Sequence, residues 1–95
     1  YNQRNIEAFL EPYAEDVELY QFPDNLLGKG KEGMRKSYAQ FFENNPTLHC
    51  HLLGRTVNGS TVIDQERVIF SGGMMEAIAI YQIENNKIKK VYFIQ

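Results

Sequence analysis

At Thr47 the hydrophobic rhythm of this 95-residue chain changes, and it does not change back. Upstream, apolar residues recur at helical spacing: Ile6, Phe9, Leu10 and Tyr13 fall at i, i+3, i+4 and i+7. Met34, Tyr38, Phe41 and Phe42 share one face of a second helix, which starts near Lys31 and stops at Asn44-Asn45-Pro46. Downstream the period is two. Strands are predicted over about 47–57, 61–70, 74–84 and 87–95, with turns at Asn58-Gly59, Ser71-Gly72-Gly73 and Asn85-Asn86. Helices followed by an antiparallel meander make an α+β chain, not an α/β one.

The segment before Lys31 carries one more strand. Val17, Leu19 and Gln21 alternate with Glu18, Tyr20 and Phe22, and a loop through Pro23, Asp24, Asn25, Gly28 and Gly30 follows. Asn5 caps the first helix. Pro12 pushes Glu11 out of helical geometry, which predicts a break there and a restart for one turn. Gly28-Lys29-Gly30 lacks the spacing and the Lys-Ser/Thr ending of a phosphate loop and reads as a turn.

Ninety-five residues make one domain with one core. The net charge is −2 with both signs interspersed, and no basic stripe marks a nucleic-acid surface. No apolar run approaches the roughly 18 residues of a membrane span. Cys50 is the only cysteine, which points to a reducing, cytoplasmic setting. The first residue is Tyr1 rather than Met, which implies a segment upstream. The last two strands are apolar on both faces: Ala77, Ala79, Tyr81 and Ile83 on one, Ile78 and Ile80 on the other. Helices cover one face only. The second face predicts a homodimer through the sheet, with a further helix as the other way of covering it.

Three segments then carry a family likeness. YNQRNIEAFLEPYAEDVELY looks like an N-x-x-D-hydrophobic…F-A-x-D lead into a first strand. GKGKEGMRKSY looks like a G-x-x-x-hydrophobic-R-x-x-Y loop and helix, and Glu76–Gln95 like a final hairpin. In that order and spacing the chain resembles the NTF2-like superfamily, in its SnoaL-like and ketosteroid-isomerase-like (steroid delta-isomerase-like) branch. The likeness covers the whole chain, with the start of the first long helix upstream of Tyr1. It implies a cystatin-like cone: helices packed on a strongly curved mixed or antiparallel sheet enclosing a pocket, and a dimer across the convex face. No cofactor is implied.

The resemblance also locates departures. Matched without gaps, Gln21 stands where ketosteroid isomerases keep their carboxylate base, and Ala79 is the nearest match to their neutral oxyanion acid. Their oxyanion tyrosine falls upstream of Tyr1. Gln21 takes no proton and Ala79 donates no hydrogen bond, so isomerisation by a base and acid with separated pKa values is not supported. What carries over is pocket wall. Tyr13 and Tyr38 match positions that face the cavity, and strand alternation adds Leu48, Cys50, Tyr81, Val91 and Phe93. Plain core packing explains these residues equally well.

The strand Val62-Ile63-Asp64-Gln65-Glu66-Arg67-Val68 puts four polar residues mid-sheet. With Asn58-Gly59 as a two-residue turn, Leu52 opposes Gln65, Cys50 opposes Arg67 and His51 opposes Glu66. Gln65 and Arg67 then face the pocket beside Gln21, and Arg67 suits a ligand carboxylate or carbonyl. A bulge exchanges the faces and brings in Asp64 and Glu66, where burial raises a carboxyl pKa and makes it an acid–base candidate. That arrangement resembles the superfamily's epoxide hydrolases and dehydratases. His49 and His51 with Glu66 would make three metal ligands in the first register, against a His–Glu pair at the dimer interface. The functional expectation is a small apolar ligand bound by Tyr13, Gln21, Tyr38, Cys50, Gln65, Arg67, Tyr81 and Phe93, in a cofactor-free lyase, isomerase or hydrolase. The alternative is a non-catalytic ligand-binding or dimerisation module. A pocket under roughly 300 Å³ favours the last of these.

Overall fold

The computed structural model describes residues 5–95; residues 1–4, where the family-like opening segment begins, lie outside the described residues. Asn5 caps helix α1 (Ile6–Leu10), its side-chain oxygen accepting from the amides of Glu7 and Ala8 at 3.1 and 3.3 Å. The chain does not restart a helix after Pro12. The Ile88 amide donates to the Pro12 carbonyl at 2.8 Å, and β1 (Tyr13–Gln21) begins at once. Sheet pairing outweighs the local helical spacing here, yet Tyr13 is buried as the apolar stripe requires.

The segment expected as a loop also holds a short strand, β2 (Asn25–Lys29), antiparallel to β1. It is a largely exposed edge, so no in–out alternation marks it in the sequence. Gly30 takes φ +91°, a conformation that favours glycine, and its amide donates to the Val17 carbonyl at 2.7 Å. That turn starts α2 (Lys31–Asn44), which buries Met34 and Phe42. Glu7 pairs with Arg35, and the rings of Phe9 and Tyr38 lie 4.8 Å apart, tying α1 onto α2.

Four long strands follow: β3 (His49–Asn58), β4 (Thr61–Phe70), β5 (Gly73–Glu84) and β6 (Lys87–Ile94). The sheet order is β2-β1-β6-β5-β4-β3, with β1 parallel to β6 and every other pair antiparallel. The sheet is therefore mixed, and its register shifts in the β1–β2, β1–β6, β3–β4 and β5–β6 pairings, which lets it curve around the helices. Leu10, Tyr13, Val17, Met34, Ala79 and Val91 form one core cluster; Phe42, Leu48 and Val68 form a second under the end of α2. Leu10, Val17 and Val91 are fully buried, each contributing about 1.5–3 kcal/mol by removal from water. Among the described residues, no helix is long and apolar enough to cross a membrane.

Candidate functional site

The β3–β4 hairpin decides which side chains face the helices. Its pairing runs Asn58↔Thr61, Val57↔Val62 and Arg55↔Asp64, so the turn is Gly59-Ser60 rather than Asn58-Gly59. Gly59 supplies the positive φ of +60°. A bulge at Leu53 then offsets the ladder, and beyond it Leu52 opposes Glu66, Cys50 opposes Val68 and His51 opposes Arg67. The extra residue gives Asp64 and Glu66 the concave face along with Arg55, Leu52 and Cys50.

Gln65 and Arg67 are accordingly on the convex face, against the Asn-Gly register. Gln65 is exposed, and Arg67 pairs with Glu76 at 3.0 Å on the neighbouring strand. The His49 and His51 rings sit 4.4 Å apart on the same convex face, while Glu66 points the other way, so the three do not converge on one metal. Gln21 shares the concave face with its partner Phe93, but it is half-buried at the β1 end and lines neither cavity described below. Ala79 and Val91 are core, as is Leu48.

Two cavities open between the helices and the concave face. The first, about 530 Å³, runs beneath α1 over the outer part of the β3–β4 hairpin, with Tyr13, Cys50, Arg55, Asp64, Glu66 and Tyr81 in its wall. The second, about 650 Å³, runs beneath α2 and is walled by Leu19, Tyr38, Phe41, Val68, Met75 and Phe93 among others. Both volumes lie within the roughly 300–1,000 Å³ usual for ligand sites, and well above what a filled core leaves. Of the residues predicted from sequence, Tyr13, Tyr38, Cys50, Tyr81 and Phe93 line one cavity or both.

The electrostatics centre on β4. Asp64 is 4% exposed, and both its oxygens accept from Arg55, from Nε at 2.6 Å and Nη2 at 2.8 Å. This two-point pairing offsets much of the cost of burying a carboxylate. Among the described residues Glu66 has no such partner. Burial first, and then the neighbouring Asp64 charge, hold its carboxyl above the usual carboxylate range, although the Cys50 thiol donates to it and Arg55 draws it back. Burial pushes the Cys50 thiol up to about 11 and the Tyr38 phenol up to about 12, with the Glu66 charge adding to each. Burial also raises Tyr81 strongly, helped by Tyr13 and Glu66. A carboxyl group biased toward its protonated form therefore sits among neutral hydroxyl and thiol groups.

Arg55, Asp64 and Glu66 are absent from the Asn-Gly register of the pocket, and Gly54 is the signal that could have placed them. An isolated glycine inside a strand pattern marks a bulge, and Gly54 directly follows Leu53. Phe9 lines both cavities, whereas its sequence pattern marks it only as helix core.

A mixed, curved sheet wrapped around two helices, with cavities on its concave side, defines the NTF2-like class of α+β folds. Within it, the family model for the SnoaL-like domain matches residues 1–91, and the chain belongs to that family. Solved structures agree on the fold. A cystatin-fold protein of Novosphingobium aromaticivorans is 22% identical, with 100% of this chain and 88% of that one covered at a TM-score of 0.92. A SnoaL-like protein of unknown function from Burkholderia thailandensis is 19% identical over 97% of this chain and 81% of that one, at 0.83. A candidate polyketide cyclase of Sinorhizobium meliloti is 15% identical over 97% and 84%, at 0.80. A search of curated protein sequences returned no match.

Proposed function

We propose that this domain binds a small, neutral, largely apolar molecule bearing a carbonyl group, and that Glu66 moves a proton on it without a cofactor. One observation carries the reading: Glu66, half-buried and with a raised pKa, lies in the wall of both cavities. A general acid–base works best with a pKa near the working pH, and burial moves a glutamic acid in that direction. Asp64 and Arg55 are already paired with each other, so among the described residues the first cavity's wall holds no free cation to balance an anionic ligand. A ligand carbonyl, hydrogen-bonded by Tyr38 or Tyr81, suits the wall better than a carboxylate does. The likeness to candidate polyketide cyclases, whose name implies carbonyl chemistry, supports the same class of substrate.

The test uses a β-keto ester in D2O. Wild-type protein is expected to speed deuterium incorporation at the carbon between the two carbonyls, and Glu66→Gln to bring it back to the buffer rate while still binding. No acceleration by the wild type over buffer leaves a non-catalytic binding module. One cysteine suits a reducing compartment such as the cytoplasm.

The convex face belongs to the same proposal, with a second copy of this chain as its occupant. Ile63, Ile69, Met74 and Ile94 are exposed there, and Ile78 and Ile80 lie half-buried on the same side. Arg67 Nε is buried without a hydrogen-bond partner among the described residues, a group that a self-complementary interface can satisfy. Light scattering is expected to give twice the monomer mass at micromolar concentration, and the monomer mass for Ile69→Glu. A wild-type monomer overturns it.

A further inference from the structure

The two cavities share part of their wall. Phe9 and Tyr13, from α1 and the start of β1, and Glu66 and Tyr81, from the sheet, line both. These four side chains put the cavities side by side, and the boundary they form is the waist. On one side of it the wall carries the Arg55–Asp64 pair. On the other it is mainly apolar, with Leu19, Met34, Phe41, Val68, Met75 and Phe93.

We infer that the cavities act as two chambers of one site, and that the ligand is elongated: a neutral hydrogen-bonding head in the first chamber, the reacting carbon at the waist beside Glu66, and an unbranched apolar tail under α2. The inference rests on the reading of Glu66 given above for the reacting carbon, but the chamber arrangement stands on the walls alone. Arg55 keeps Nη1 beyond the two nitrogens that hold Asp64, and a guanidinium edge of that kind donates to an ester or ketone oxygen. Among the described side chains of the tail chamber's wall, the charged ones are Glu66 at the waist and Lys29 at the edge, which is exposed. Its recognition is by burial, which scales with chain length. The Phe9 ring, packed on Tyr13 at 5.6 Å and on Tyr38 at 4.8 Å, limits the width of the waist. It selects linear over branched chains at the reacting carbon.

The probes are the methyl esters of 3-oxobutanoic, 3-oxooctanoic and 3-oxododecanoic acid, with Kd read by titration calorimetry. Affinity is expected to rise about fourfold per added methylene until the tail chamber is full. Two substitutions block that chamber from α2. Ser37→Trp acts from an exposed wall position, and Gly33→Leu acts from a site where an added Cβ meets nothing within 4 Å. Either is expected to abolish the gain with length while sparing the four-carbon ester. Leu52→Trp, in the first chamber, is expected to weaken all three esters by a similar factor. Phe9→Ala is expected to admit a 2-methyl-branched ester that the wild type rejects by tenfold or more. Equal affinity for all three esters, or an undiminished length gain in both Ser37→Trp and Gly33→Leu, overturns the two-chamber site. Deuterium exchange on the same esters separates the claims. A length-dependent Kd without exchange sinks the acid–base role of Glu66 and leaves the chambers standing; exchange with a flat length profile does the reverse.

Discussion

The two faces of β4 carry nearly the same pattern and meet different fates. Val62, Asp64, Glu66 and Val68 form an apolar–polar–polar–apolar row, and so do Ile63, Gln65, Arg67 and Ile69. The first row faces the helices, where Asp64 and Val68 are buried and Glu66 is half-buried. The second row faces out, with Gln65 exposed and Arg67 in an ion pair whose partners are 41% and 48% exposed. Composition cannot tell these rows apart. The bulge at Leu53 does, because one extra residue on β3 reassigns which row of β4 shares a face with Cys50.

The largest expected effect comes from breaking the two ion pairs. Arg55→Ala leaves the carboxylate of Asp64 buried without its guanidinium and should cost about 2–3 kcal/mol. This lies below the roughly 3–5 kcal/mol of a fully buried pair because the Arg55 side chain is 54% exposed and already partly screened. Glu76→Ala breaks the convex pair with Arg67 and should cost no more than about 1 kcal/mol. Urea unfolding of both variants measures the difference; equal losses would mean that the two faces are not energetically distinct.

Next comes the pair Val68→Ala and Ile69→Ala. Val68 is 4% exposed against Phe42 and Leu48, and its truncation should cost about 2 kcal/mol through lost burial and a residual cavity. Ile69 is 37% exposed, so although more atoms are removed the loss should be about 1 kcal/mol in the monomer. A concentration-dependent loss at Ile69 that exceeds the loss at Val68 would sharpen the contrast differently, assigning the convex face to a second copy.

How much of this was legible beforehand follows from which residues had more than one signal. The helices and the four long strands were, because period and turn residues agree at Asn44-Asn45-Pro46, Ser71-Gly72-Gly73 and Asn85-Asn86. The Asn86 φ of +64° fits that reading. Tyr81 was visible as a concave residue because its neighbours alternate cleanly, and Tyr38 as an inward residue of α2 because it shares a helical face with Met34, Phe41 and Phe42 and matches a cavity-facing position of the family. The one-turn restart after Pro12 was not borne out, because a backbone bond to a strand 76 positions away prevails there. β2 was missed because an exposed edge strand needs no alternation. Asp64 and Glu66 hung on a single offset in β3, and a register is invisible when both rows of the partner strand would satisfy it.

The turn that sets this register predicts a smaller effect. Gly59 sits at φ +60°, with open space where a Cβ would lie. Gly59→Ala therefore meets no clash and carries only the left-handed backbone cost, about 1 kcal/mol. Gly54 also has open space around it but no such backbone constraint, so Gly54→Ala should be close to neutral. Comparable losses at the two sites would show that the bulge demands glycine as much as the turn does.

The finest test reads the concave face through protons. The folded-state pKa of Glu66 is raised above its ordinary 4.5, so between that value and the raised one the folded protein holds a proton that the unfolded chain has released. Unfolding then releases a proton, and stability must fall as pH rises through that window. Glu66→Gln removes the titrating group, so the stability–pH profile of the variant should be flatter just above pH 4.5. Tyr38 extends the same logic to alkali, because its phenol rises from 10.0 to about 12 in the fold. Stability should fall between those values, and Tyr38→Phe should reduce the fall. On the convex face Tyr20 also has a raised pKa, but chiefly because its hydroxyl donates to Glu18 at 2.7 Å rather than through burial. High salt should weaken the alkaline contribution of Tyr20 and leave that of Tyr38 largely in place, since screening acts on exposed charge and hardly on desolvation. Equal salt sensitivity in Tyr20→Phe and Tyr38→Phe difference profiles would mean that the concave side is as wet as the convex one, and the case for an apolar pocket around Glu66 would fall with it.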